Sequence, residues 1–134
     1  MKVEQFSVRT TSRCELVPVT AQVRSIVRNA GVESGACVVF CPHTTAGLTI
    51  NENADPDVAR DIVYMLQKLV PADDPGYRHL EGNSAAHILA SLVGSSVHLM
   101  VENGGLKLGT WQGVFLVEFD GPRTRKVWVQ VIGT

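Results

Sequence analysis

The run His79-Leu80-Glu81-Gly82-Asn83-Ser84-Ala85-Ala86-His87 holds two imidazoles, a carboxylate and an amide within one short stretch. Imidazoles suit zinc and its neighbours in the periodic table, and carboxylates carry protons, so this is the densest group of possible ligands and proton carriers in the chain. The spacing of the two histidines fits no compact ligand signature. Taken alone, the pair reads more readily as chance, or as one surface and one core histidine, than as a metal site. A third imidazole comes from His43-Thr44-Thr45, which follows the apolar run Ala36-Cys37-Val38-Val39-Phe40-Cys41 and a proline. That is the pattern of a strand end, where side chains from different elements converge.

Other residues must position these. Residues 83–93 have helical spacing, with Ile88, Leu89 and Leu92 as the apolar stripe, Gly94 as the stop and Asn83 or Ser84 as the N-cap. His87 then lies one turn inside the helix on the face of Asn83, and His79 and Glu81 lie in the loop that enters it. That loop begins at Pro71-Ala72-Asp73-Asp74-Pro75-Gly76-Tyr77, where two prolines and a glycine exclude regular structure; it is either solvated surface or a lid.

Earlier in the chain, strands over residues 3–10 and 14–17 are expected to pair as a hairpin. Thr20 is the expected N-cap of a helix that buries Val23, Ile26, Val27 and Ala30, leaves Arg24 and Arg28 wet, and ends at Gly31. The strand over residues 36–41 and the next, over 46–50, are expected to be antiparallel neighbours because their connection is short. Asp55 caps a second helix with Pro56 at its first position and Ala59, Ile62, Val63, Leu66 and Val70 along its stripe.

The final third reads as strands over residues 96–101, 106–108, 111–119 and 125–132. Strand 111–119 alternates, with Trp111, Phe115, Val117 and Phe119 on one face and Gln112, Val114, Leu116 and Glu118 on the other. Glu118 on an otherwise apolar face needs either an ion pair with Arg125 or Lys126 across the hairpin, or a role in a site.

Totals bound the function. The 134 residues, 45% hydrophobic with a formal net charge of -1, predict one domain with a real core. No basic block interleaved with aromatics points to nucleic acid. No apolar run approaches the roughly 20 residues of a spanning helix, and the alternating start Met1-Lys2-Val3-Glu4 is no signal peptide, so a cytoplasmic protein without membrane partners is expected. Cys37 and Cys41, about 13 Å apart along one strand, cannot pair and read as reduced core thiols, with Cys41 a weaker candidate ligand beside His43. Gly104-Gly105 and Gly109 make no dinucleotide fingerprint.

Four blocks in order carry a resemblance: His43-Thr44-Thr45-Ala46 with Asn51-Glu52-Asn53-Ala54-Asp55-Pro56; the His79 to His87 run; Gly109-Thr110-Trp111-Gln112-Gly113; and Glu118-Phe119-Asp120-Gly121-Pro122-Arg123. Together they closely resemble the YjbQ-like family over nearly the whole chain. The resemblance implies an α+β fold, a mostly antiparallel β-sandwich with about three helices packed against it, assembled as a homotrimer. It also implies secondary thiamine-phosphate synthase activity, a transferase reaction that joins a pyrimidine pyrophosphate to a thiazole phosphate and releases pyrophosphate. By the same resemblance His43, His79 and His87 bind a divalent metal with Glu118 nearby, while His98 falls outside the blocks and is structural.

The chemistry assigns provisional roles. Departing pyrophosphate must be stabilised by cations or helix N-terminal amides, which Thr44, Thr45, Gly82, Ser84, Arg123 and Arg125 could supply to a small phosphorylated substrate. Glu118 and Asn83 are the catalytic candidates. Three imidazoles suit zinc or a similar ion better than magnesium, although pyrophosphate chemistry usually runs on magnesium. A three-histidine, metal-dependent hydrolase therefore stands beside the synthase, and a non-catalytic trimeric ligand-binding module beside both.

Overall fold

The computed structural model describes residues 2–134 as eleven elements: β1 (Val3–Arg9), β2 (Glu15–Pro18), α1 (Thr20–Asn29), β3 (Ser34–Phe40), β4 (Ala46–Glu52), α2 (Pro56–Leu69), α3 (Ser84–Val93), β5 (Ser96–Glu102), β6 (Gly105–Lys107), β7 (Gln112–Glu118) and β8 (Thr124–Gly133). All strand pairs are antiparallel, so the α+β class expected from sequence is the fold observed. Five strands form one sheet in the order β1-β8-β3-β5-β6, and three form another in the order β2-β7-β4.

Alternation along β8 decides the larger sheet. Arg125, Val127, Val129 and Val131 turn inward and are buried; Lys126, Trp128 and Ile132 face out. The inward valines meet Val39, Leu99, Val114 and Leu116 in the core between the sheets. β7 is buried on both faces: Val117 and Phe119 pack from its other side onto Ala85, Ala86, Leu89 and Ala90 of α3. That double burial explains its nearly unbroken apolar run. α1 closes one end of the inter-sheet core with Val23 and Val27, while α2 lies against β2 and α3 against β4.

Two pairing expectations are corrected. β1 and β2 form no hairpin: β1 pairs with β8 from Val3 opposite Gln130 to Arg9 opposite Thr124, and β2 pairs with β7 in the other sheet. The polar turn between them carries the chain across the layers, with the Glu15 carboxylate accepting the Ser12 amide at 2.8 Å. A four-residue β2 can offer β1 far less ladder than β8 does. Nor are β3 and β4 neighbours. Both edges of β3 are taken, by β5 and β8, so β4 pairs with β7.

The helix signals mostly hold. Asp55 caps α2 by accepting the Asp57 amide at 2.9 Å, with Pro56 in the first turn, although its apolar stripe is only half-buried. Gly31, at φ +68°, closes α1 in the left-handed region that favours glycine. Val19, not Thr20, occupies the cap of α1, because the Thr20 hydroxyl accepts the Val114 amide at 2.9 Å and ties the helix to β7. Among the described residues no helix is long and apolar enough to cross a membrane.

Candidate functional site around His87

α3 buries Ala85, Ala86, Leu89 and Ala90, which leaves half-buried His87 at the edge of its covered face beside exposed Ile88, Ser91 and Leu92. His87 is the wall shared by two clefts. One, of about 340 Å³, is lined by His43, Thr44, Ala46, Ser91 and Ser95. The other, of about 510 Å³, is lined by Tyr77, Arg78, His79, Ser84 and Ile88.

The first part of the loop before α3 is held by its own polar groups. The Tyr77 hydroxyl donates to the Pro71 carbonyl at 2.7 Å, and Asp74 Oδ1 accepts the Gly76 amide at 2.8 Å. Gly82, at φ +77°, turns the chain into the helix. The ring of His79 stands edge-on to that of His87, centroids 5.4 Å apart. Two imidazoles bound to one tetrahedral ion at roughly 2.0–2.1 Å place their ring centres about 5 Å apart, a separation close to the one seen here. Among the described residues, no group of three His, Cys, Asp or Glu side chains is close enough to enclose an ion. The carboxylate of Glu81 lies 3.9 Å from Nε2 of His79.

His43 reaches the first cleft from the β3–β4 connection. The β3–β8 ladder stops at Phe40 opposite Trp128, and Nε2 of His43 accepts the amide of Lys126, two residues before Trp128 on β8, at 2.9 Å. Burial pushes its pKa below the ordinary histidine value, and the positive charge of Arg125 adds to the effect.

Glu118 and Arg125 form a closed unit beneath that connection. Their side chains are 0% and 2% exposed. Arg125 Nε donates to Glu118 Oε1 at 2.9 Å, and its Nη2 also reaches the carboxylate. Thr10 donates its hydroxyl to Oε1 at 2.8 Å, and the Phe119 and Asp120 amides donate to Oε2, each at 3.1 Å. Burial alone would raise the Glu118 pKa, but Arg125, the Asp120 amide and Thr10 together hold it below the usual carboxylate value. Arg125 Nη2 also donates to the hydroxyl of buried Thr45 at 2.9 Å. Of the two readings open for Glu118, the ion pair with Arg125 is present; the expected hairpin is not, because β7 and β8 belong to different sheets, so the pair crosses between the sheets and anchors the segment that carries His43.

The remaining candidates separate. Thr44 and Ser84 line the clefts. Arg123 is held by Asp120 through Nη2 at 3.0 Å, and Asn83 donates Nδ2 to the same carboxylate oxygen at 3.0 Å. Gly82 and Asn83 border a small hollow with Arg13 and Asp120, where Asn83 Oδ1 is buried without a hydrogen-bond partner. His98 lies on the exposed face of the larger sheet opposite Val38, away from the clefts. Sequence reasoning missed Ser91 and Ser95. Ser91 was open to discovery, since it follows His87 by four residues and so shares its helix face; Ser95 carries no sequence signal.

The family model described as "UPF0047 protein YjbQ-like" matches residues 4–134. The chain is 47% identical over 131 residues to the UPF0047 protein YugU of Bacillus subtilis, covering 98% of this chain and 99% of that one. It is 48% identical over 129 residues to a UPF0047 protein of Methanocaldococcus jannaschii, covering 96% and 93%. A crystal structure of a YjbQ/UPF0047-family protein from Clostridium acetobutylicum, 55% identical, superposes with a TM-score of 0.94 over 96% of this chain and 99% of that one. A similar protein of Sulfolobus solfataricus, 33% identical with a TM-score of 0.94 over 99% and 97%, is described as of unknown function. These names state a family and no activity.

Proposed function

We propose that this chain, which belongs to the UPF0047 YjbQ-like family, is a metal-assisted enzyme that hydrolyses a small phosphorylated compound in the clefts around His87. The observation that carries the reading is the His79–His87 pair, whose 5.4 Å ring separation suits two ligands of one divalent ion. His79 and His87 would hold the ion, with Glu81 the nearest carboxylate. Bound there, a zinc-like ion would polarise a phosphoryl oxygen and lower the pKa of a water. Thr44 and Ser95 line the cleft on the His43 side and orient phosphoryl oxygens through their hydroxyls. Arg78, in the other cleft, supplies positive charge toward the phosphate.

Thiamine-phosphate synthase-type transfer is the second reading. It asks for cations at a departing pyrophosphate, and two of its nominated arginines, Arg123 and Arg125, are engaged by Asp120 and Glu118. One observation favours it: Tyr77 and Ile88 give the larger cleft an apolar wall beside Arg78, against which a heteroaromatic ring would lie. For either reaction the assembly proposed is a homotrimer joined through the outer face of the larger sheet. Trp128 stacks there on Phe40 at 5.8 Å, and both stand exposed beside Val3 and Ile132.

Zinc calorimetry paired with a phosphate-release assay on simple phosphate esters, with and without chelator, tests the reading. Chelator-sensitive release that His87→Ala abolishes is expected. Zinc binding left intact by both His79→Ala and His87→Ala would overturn it, and pyrophosphate release from the paired pyrimidine and thiazole substrates would move the assignment to transfer. Binding without turnover would leave a trimeric ligand module.

A further inference from the structure

We propose that His43 serves the cleft as a hydrogen-bond donor of fixed tautomer, presenting Nδ1–H to an oxyanion, and is not a ligand of the ion. The inference rests on the reading that this cleft takes a phosphorylated compound, but the tautomer it requires follows from geometry alone.

Nε2 of His43 accepts the Lys126 backbone N–H at 2.9 Å. Only an unprotonated ring nitrogen accepts, so the proton of the neutral imidazole sits on Nδ1. Neither nitrogen is then free for a metal: Nε2 has committed its lone pair and Nδ1 carries hydrogen. Ligation would require His43 to release the Lys126 amide, a donor stranded where the β3–β8 ladder ends at Phe40 and Trp128. The ring is further fixed by its segment, since Thr45, two residues on, is bound through its hydroxyl by Arg125.

The remaining hydrogen belongs to a ring that lines the cleft with Thr44 and Ser95 and faces a space also walled by His87. Burial and Arg125 both favour the uncharged ring, so the donor keeps its tautomer near neutral pH. A neutral imidazole donor stabilises oxyanion charge without itself losing a proton, which separates its task from that of the His79–His87 pair. A cap for the Lys126 amide alone would need only an acceptor; a histidine supplies an acceptor on one side and a donor on the other.

Long-range proton–nitrogen spectra of protein labelled with ¹⁵N-histidine report which nitrogen of each ring carries hydrogen. His43 is expected to show a protonated Nδ1 and a bare Nε2 at pH 7. That pattern should persist when zinc alone is added, and the Nδ1–H signal should move when inorganic phosphate is added. A protonated Nε2, or a His43 nitrogen that shifts onto zinc, would overturn the assignment.

Two variants separate the donor from a plain cap. His43→Asn keeps a side-chain nitrogen near the Nδ1 position and loses the reach to Lys126; His43→Gln does the reverse. The donor role predicts that Asn holds phosphate affinity within about 3-fold while Gln loses about 10-fold or more. The opposite ranking would refute it. Zinc that fails to bind the parent protein would remove the metal reading and leave the tautomer result standing, so the two failures are told apart.

Discussion

Arg125 grips Glu118 at 2.9 Å from its Nε while the same guanidinium holds the Thr45 hydroxyl at 2.9 Å, and both members of the ion pair are shut off from solvent. Such a pair is costly to desolvate, and removing one member strands the other's charge. Glu118→Gln is therefore expected to lower stability by about 3–5 kcal/mol in urea unfolding. The double variant Glu118→Gln/Arg125→Met should lose much less than the sum of the two single losses, because no charge is left alone. Additive losses would show that the two side chains act independently.

Acid sensitivity follows from two depressed pKa values, and the sign is the same for both. Below the ordinary histidine value of 6.5, the unfolded chain binds a proton that folded His43 refuses until the pH reaches its lower folded pKa, so stability declines as the pH drops across that window. Glu118 contributes fully above its ordinary value of 4.5 and loses that contribution as the pH drops through its lower folded value. Unfolding free energies measured from pH 7.5 to 4 should show the first decline in the parent protein and a flatter curve in His43→Gln. Identical curves for the two would show that His43 is not the group responsible.

Metal affinity should divide the histidines. His79→Ala and His87→Ala are each expected to weaken zinc binding by about 10²-fold or more, and His43→Ala by less than about 3-fold. Calorimetry at constant pH reads this directly, and an equal loss in all three would restore a three-histidine centre.

Self-association should depend on the outer face of the larger sheet. Trp128, stacked on Phe40, is the largest apolar group there, so Trp128→Glu should convert the expected trimer to monomer in sedimentation at micromolar concentration. A trimer that survives the substitution would place the interface elsewhere.

Local rules determined the elements. The Asp55-Pro56 cap, the stripe of Ala59, Ile62, Val63 and Leu66, the left-handed stop at Gly31 and the alternation of β8 all depend on residues within a few positions of one another. The histidines could be singled out for the same reason, since each stands in a short block of unusual chemistry. Tertiary structure decided which strands pair. A period of two says that β1 has one wet face, but it is silent on which edge will take it, and β8 outbid the nearer β2 by offering seven residues of ladder against four. It also decided what each site residue touches. Glu118 on an apolar face demanded a partner, and only the crossing of β1, β7, β8 and the β3–β4 connection brought Thr10, Arg125 and Thr45 together around it. His43 differs from His79 for that reason too: the Lys126 amide, 83 residues away in the chain, fixes its tautomer, and no local spacing encodes a hydrogen bond between segments that meet only when the sheets close.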